Sequence, residues 1–255
     1  MRYNADKHRL PKFTDDGILP VNKPAGWTSF DVVNFVRARF NIPKVGHCGT
    51  LDPAATGLLV LVFNKFTRLS QVLSGQDKVY DATILLGTET DSQDMDGVVT
   101  ATRDWSGVTP EALREAMAGF VGTIEQVPPM VSAVKKDGKR LYELARQGKE
   151  VEREAKPITI HRIDITRIEL PSADFTVSCS KGTYIRTLCA DIGAGLGCGA
   201  VLQQLCRTRS GNFSLDEAVT VETLKTWEQP QLQEFCRDYL QANMARVTAA
   251  REEKR

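Results

Sequence analysis

The sequence predicts an α+β fold built on a mixed, largely antiparallel β-sheet flanked by helices and loops. Three observations carry this expectation. Segments of strand character and segments of helical spacing are interspersed along 255 residues, without the regular strand–helix–strand alternation of a parallel sheet. The chain is long enough to bury a substantial core. Its composition, 42% hydrophobic and 25% charged, is that of an ordinary globular protein, and no internal repeat of about 20–50 residues interrupts it.

The elements follow in order. Residues 1–16 are polar and read as an extension draped over the domain. Gly17 to Val21 is a short apolar run, and Asn22-Lys23-Pro24-Ala25-Gly26 turns the chain. Thr28-Ser29-Phe30-Asp31 has the form of a capping box, followed by Phe30, Val33, Val36 and Phe40 at helical spacing, with Ile42-Pro43 as the stop. Gly46 to Pro53 is a glycine-punctuated loop. Leu58 to Phe63 is a continuous apolar run, a buried strand or a short buried helix, and Val79 to Leu86 reads as a strand. Thr109-Pro110-Glu111 opens a helix with proline at its first position. Leu141 to Gln147 looks helical, with Gly148 as its end. Ile158 to Leu170 alternates as a strand with a phase slip, Phe175 to Cys179 is another strand, and Thr183 to Ile192 is a helix. From Gln231 to Val247, Leu232, Phe235, Leu240, Met244 and Val247 share one helical face.

Composition excludes several classes. No apolar run of about 18 residues is present, so no membrane span is expected, and the polar start MRYNADKHRLPKF lacks the apolar stretch of a signal peptide. A cytoplasmic protein with reduced thiols is expected, because six cysteines occur without any C-x-x-C pair. With only three histidines and no close-spaced ligand pairs, a zinc site is not expected. The net charge of +1 gives no whole-molecule case for nucleic acid, but the distribution is uneven. Asp81 to Asp96 holds five acids and no Lys or Arg, whereas Lys135 to Arg167 holds ten basic and six acidic residues. The second stretch suits either a phosphate backbone or a solvated face of mixed charge.

Asp52 is the first candidate for chemistry. An Asp-Pro step can simply start a helix with the carboxylate capping its amides. Alternatively, Gly46, Gly49 and Gly57 allow the backbone to come close to a ligand and present one carboxylate to it. The surrounding residues, GHCGTLDPAATGLLVL, decide in favour of the second reading, because they resemble the catalytic loop of TruB-type pseudouridine synthases, G-H-[TC]-G-[TA]-L-D-P-x-A-x-G-[LM]-L. Four further blocks resemble that family in the same order: VNKPAGWTSFDVV, KVYDATILLGTETDSQDMDG, QVPPMVSAVKKDGKRLYELARQGKEVER and CSKGTYIRTLCADIGAGLGCGA. The resemblance extends over about residues 17–220.

What the resemblance implies is assigned position by position. Asp52 matches the essential aspartate, and Tyr80 the aromatic that stacks on an extruded base. Arg186 matches the arginine that pairs with that carboxylate, Tyr184 a pocket tyrosine, and Leu205 an apolar pocket position. Lys23 and Pro24 match a motif supporting the floor of the site. His47 matches a position that occupies the space left in the RNA loop, an RNA contact and not a proton-transfer group. Lys181 is a weaker phosphate-contact candidate. The implied fold is the pseudouridine-synthase-like catalytic domain, over residues 17–222, with 223–255 a short helical tail in place of a full PUA domain.

The implied reaction converts uridine 55 in the T-loop of tRNA to pseudouridine, by base flipping and without metal, nucleotide or redox cofactor. The sequence leaves open whether Asp52 adds to the sugar, adds to the base or removes a ribose proton to give a glycal. The expected partner is the tRNA T-arm, with no membrane and no obligate protein partner, and the expected state is a monomer. Two alternatives stand beside this one: a non-catalytic tRNA-folding or RNA-binding protein on the same scaffold, and a guide-dependent rRNA pseudouridine synthase subunit. Gly195-Leu196-Gly197-Cys198-Gly199-Ala200 also fits a dinucleotide G-x-G-x-x-A pattern, but the residues before it read as helix, where such a site needs a strand.

Overall fold

The computed structural model describes residues 10–132, 135–136, 139–140 and 151–252. The expected helix at Leu141–Gln147 and part of the basic stretch that starts at Lys135 lie outside these residues. In chain order the strands are β1 (Gly17–Lys23), β2 (Val45–His47), β3 (Thr56–Phe63), β4 (Lys78–Leu86), β5 (Thr88–Thr90), β6 (Val99–Thr102) and β7 (Gly122–Gln126). They continue with β8 (Lys135–Lys136), β9 (Lys139–Arg140), β10 (Lys156–Glu169), β11 (Ser172–Cys179), β12 (Ala200–Ser210), β13 (Phe213–Ser214) and β14 (Val219–Thr220). The helices are α1 (Ser29–Arg39), α2 (Ser70–Ser74), α3 (Pro110–Ala118), α4 (Ile185–Gly195), α5 (Val221–Thr226) and α6 (Gln229–Glu252). The chain divides into two compact units, residues 1–78 with 206–255, and residues 79–205. The interspersed order and the mixed, largely antiparallel pairing are those of the α+β class.

In the first unit, β1 runs antiparallel to β3 from Gly17↔Phe63 to Lys23↔Gly57 and parallel to β14. β3 also pairs with β2, and in parallel with β12 at Cys206↔Thr56 and Arg207↔Gly57. Leu58 to Phe63 is therefore a strand, and its unbroken apolar run follows from burial on both faces: every one of these residues is buried. The core beneath it gathers Ile18, Leu58, Val60, Val62, Leu69, Leu73, Phe213 and Tyr239. Phe13 joins this unit: it is buried and meets Phe63 edge-on, at 6.0 Å between centroids.

α1 carries the expected capping box, with the Thr28 hydroxyl accepting from Asp31 N–H and the Asp31 carboxylate accepting from Thr28 N–H. Its inward face differs from the expected one. Ser29, Val32, Val33 and Val36 point inward, and Phe30 is 63% exposed. At about 100° per residue, putting Ser29 inside turns Phe30 out. α6 packs on β1, where a side chain at Gly17 would lie 3.2 Å from Cys236 Sγ. Leu232, Cys236 and Tyr239 are buried along α6, and Asn243 breaks its regular geometry while donating to Tyr239 O at 2.9 Å. The side chains of Met244 and Val247 lie outside the described set.

The second unit is a sheet in the order β4-β11-β10-β7. β10 and β11 form a long antiparallel pair with irregularities between Ile160 and Arg162 and between Ile165 and Arg167, the origin of the phase slip legible in the sequence. Thr83 donates to Asp174 and Thr176 to Asp81, both at 2.7 Å. α3 and α4 contribute Leu113, Met117, Ile185, Leu188 and Ile192 to a core with Ile84, Ile158, Phe175 and Val177. At the end of α4, Gly195 to Ala200 runs from helix through a turn into β12, the reverse of the strand–turn–helix order a dinucleotide site needs.

Candidate active site

Within the first unit, the loop between β2 and β3 is held from several sides, and Asp52 sits on it half-buried. Pro53 starts no helix. Ala55 N–H donates to Asp52 O at 3.2 Å to close a turn, and β3 follows from Thr56, so helix capping does not account for the carboxylate. Cys48 N–H donates to Val60 O at 2.9 Å and anchors the start of the loop on β3. Farther along, Leu51 N–H donates to Ser29 Oγ at 2.8 Å, and Ser29 Oγ donates back to Leu51 O at 3.1 Å. The buried serine is thus what turns α1 toward the loop and Phe30 away from it.

Lys23, the last residue of β1, has no exposed surface. Its ammonium donates to the carbonyls of Pro24 (2.9 Å), Trp27 (2.6 Å) and Pro53 (3.1 Å), tying the Lys-Pro turn to the residue after Asp52. Burial lowers its pKa to about 8, opposed by the Asp52 carboxylate and reinforced by the Arg207 charge. His47, at the end of β2, is likewise held below its ordinary value, first by burial and then by Arg207, with a hydrogen bond to the Gly49 backbone acting in the other direction. Its Nδ1 is buried without a hydrogen-bond partner. An imidazole of this kind is neutral at physiological pH, which suits contact with a base better than delivery of a proton. The Cys48 thiol is pushed up to about 12 by burial and is not a nucleophile near neutrality.

Two buried cations near this loop escaped the sequence reading. Arg207 in β12 is 1% exposed, and its guanidinium donates to the carbonyls of Leu58 (2.8 Å), Gly49 (3.0 Å) and Thr50 (3.4 Å). Lys78 is 5% exposed and donates to Ser74 O (2.9 Å) and Gln76 O. An arginine in RTRSG carries no periodic signal that separates it from a surface residue. The one hint was the pair Gly49 and Gly57, whose partner the sequence does not reveal.

In the second unit, Tyr184 and Arg186 share the start of α4. The buried amide of Gln126 accepts from Tyr184 N–H at 2.8 Å and donates to Tyr184 O at 3.1 Å, fixing the backbone just ahead of the helix. Arg186 is 3% exposed and donates to Ser92 O (2.9 Å) and Val131 O (2.8 Å), with Asp94 at 3.6 Å. Thr187 adds a bond to Gln93 at 2.8 Å, so the acidic loop is drawn to the helix start. Tyr80 in β4 and Leu205 in β12 are both half-buried against the core of this unit. Lys181 is exposed in the turn before Tyr184. The structure thus gathers Lys23, His47 and Asp52 around one loop, and Tyr184 and Arg186 at one helix start.

The chain is similar to known proteins over most of its length. The model of the TruB family pseudouridylate synthase N-terminal domain matches residues 37–185, and that of the tRNA pseudouridylate synthase B C-terminal domain matches residues 186–244. The chain is 50% identical over 213 residues to the tRNA pseudouridine synthase B of Alkaliphilus oremlandii, covering 84% of this chain and 71% of that one. It is 47% identical over 223 residues to the tRNA pseudouridine synthase B of Opitutus terrae, covering 88% and 92%. Among solved structures it is similar to a chain in a crystal structure of a Cbf5-Nop10-Gar1 complex, with a TM-score of 0.64 and 32% identity. That match covers 81% of this chain but about half, 52%, of the solved one.

Proposed function

The chain belongs to the TruB family of pseudouridylate synthases, and from that premise we propose that it isomerises uridine 55 in the T-loop of tRNA to pseudouridine. The observation that carries the reading is the loop itself: a single carboxylate, Asp52, on backbone gripped from beneath by a lysine with no exposed surface. Rigid placement of one group is what a reaction without bond-making to other side chains demands of a protein. The bond from ribose C1′ to uracil N1 breaks, the base turns, and C1′ joins C5. The proton on C5 is lost and N1 takes one up, so substrate and product are isomers.

In this reading Asp52 supplies the carboxylate, and Tyr80 stacks on the flipped base. Tyr184 and Leu205 line its pocket, and Arg186 provides the countercharge in the site. His47 contacts the RNA and Lys23 supports the floor. Flipping costs a few kcal/mol of stacking and pairing, recovered by these contacts and by phosphate binding. A loop offers unstacked bases, where a duplex does not. The enzyme acts as a monomer on tRNA alone. Support for tRNA as the substrate comes from relatives at about half identity that bear the name tRNA pseudouridine synthase B, against 32% for the chain solved in a Cbf5 complex.

The test is direct. Purified protein, without cofactor, guide RNA or other protein, is incubated with unmodified tRNA transcript, and pseudouridine is mapped by carbodiimide primer extension. A stop at the T-loop uridine is expected, and Asp52→Asn is expected to lower its rate of appearance by about 10³-fold or more while tRNA binding survives. Tight tRNA binding with no pseudouridine from the wild-type protein would instead favour an RNA-folding role.

A further inference from the structure

The backbone of the candidate catalytic loop is gripped on both sides of Asp52, by two different buried cations. Lys23 takes the carbonyl of Pro53, immediately after the carboxylate. Arg207 takes those of Gly49 and Thr50, just before it, and also that of Leu58 in β3. A guanidinium offers a rigid planar fork of donors, so three carbonyls bonded to one fork are fixed relative to each other.

Two loop glycines lie against this arginine. Gly57 has φ +98°, and a side chain there would lie 2.4 Å from Arg207 O and 2.8 Å from Arg207 N. The parallel register puts these two residues directly opposite each other, so the missing Cβ is what lets β12 reach β3. Gly49 has φ +101°, and its Cβ would lie 3.4 Å from Arg207 Nη1. One glycine thus admits the backbone of Arg207, and the other faces its guanidinium. Burying an arginine at 1% exposure is costly, and simple packing of β12 does not require a charge there.

We propose that Arg207 is a positioning residue of the reaction: it fixes the backbone before Asp52 as Lys23 fixes the backbone after it, and so sets where the carboxylate meets the uridine. This rests on the pseudouridine synthase reading above. Arg207 acts through the loop and does not touch the RNA, so its loss strikes the rate at saturating tRNA and spares affinity.

The test compares the wild-type protein with Arg207→Lys and Arg207→Met. Single-turnover rates are expressed per tRNA-binding-competent site, so that loss of folded protein is not counted as loss of rate. Arg207→Met is expected to lower the rate about 100-fold, as a displacement of about 1 Å does, with tRNA Kd within about twofold. Arg207→Lys, which keeps the charge but not the fork, is expected to fall between Met and wild type. Rates within about threefold of wild type for both variants, or a loss confined to Kd, would overturn the proposal. Should neither variant fold, Arg207→Gln, which keeps an amide donor for one carbonyl without the planar fork, takes their place: it is expected to lower the rate about tenfold at unchanged Kd, and an unchanged rate overturns the proposal. A wild-type protein that makes no pseudouridine contradicts the function itself, an outcome distinct from either of these.

Discussion

A lysine without exposed surface is tolerated when its ammonium is bonded on every side, and Lys23 meets that condition with three carbonyls and a nearby carboxylate. Its pKa of about 8 lies below the ordinary 10.5 because burial disfavours the charged form. The sign of the resulting pH dependence follows. Below pH 8 both folded and unfolded chains hold the proton, and the cost of burying the charge, roughly 3 kcal/mol, is constant. Between about 8 and 10.5 the folded chain releases the proton while the unfolded chain keeps it, so this group's contribution to stability rises with pH. Lys23→Met leaves the carbonyls of Pro24, Trp27 and Pro53 without their donor and is expected to be less stable than wild type, by a margin that widens from about pH 8 toward pH 10 as the wild-type contribution rises, as measured by urea denaturation across the range. Activity runs the other way, because the ammonium is what grips Pro53. The kcat/KM of the wild-type enzyme is expected to decline above about pH 8, with that limb missing from Lys23→Met, whose rate is low throughout. A variant as active as wild type would remove Lys23 from the floor of the site.

At the scale of the element, β1, β4, β10 and β11 were legible as strands, because each alternates or runs apolar over much of its length. The sequence pattern failed where a polar residue has an inward task. Ser29 takes an inward position on α1 because its hydroxyl holds Leu51, and the apolar stripe drawn through Phe30 is rotated accordingly. The contrast is measurable. Ser29→Ala leaves a buried Leu51 N–H without its acceptor and is expected to cost about 1–3 kcal/mol in urea denaturation. Phe30→Ala, despite losing the larger side chain, is expected to stay within about 0.5 kcal/mol. The reverse order would mean that Phe30 packs and Ser29 does not. β12 was missed for a related reason. Its AVLQQLCRTRS has no clean period, since β12 passes from one unit to the other after Leu205 and carries the buried Arg207 at its far end.

For the whole molecule, composition said little about function and ordered motifs said much. A net charge of +1 does not predict RNA binding, so affinity has to come from local basic surface. Binding of tRNA is accordingly expected to weaken at least tenfold between about 50 and 200 mM salt, with the slope of log K against log salt giving the number of phosphates engaged. A flat dependence would show that backbone contacts are not the source of affinity. The residues of the candidate site were legible because they lie in short ordered blocks that resemble those of one family, the glycine-rich loop with Asp52 and the block with Tyr184 and Arg186 among them; the local pattern alone left a helix start or a core aromatic as the simpler reading. The supports beneath these residues, Arg207, Ser29 and Gln126, were not legible, because each acts on a backbone group far away in sequence, 149–158 residues for Arg207, 22 for Ser29 and 58 for Gln126.

The isomerisation has one chemical signature that no binding or folding role shares, the loss of the proton from C5 of the target uracil. The measurement to make is therefore tritium release from tRNA transcribed with 5-tritiated uridine, by wild type and by Asp52→Asn, with tRNA binding followed in parallel. Release equivalent to a single uridine per tRNA is expected from the wild-type protein, and release slower by about 10³-fold or more from Asp52→Asn at unchanged affinity. Release undiminished in Asp52→Asn would contradict the role of the carboxylate, and binding without release by the wild-type protein would contradict the reaction itself.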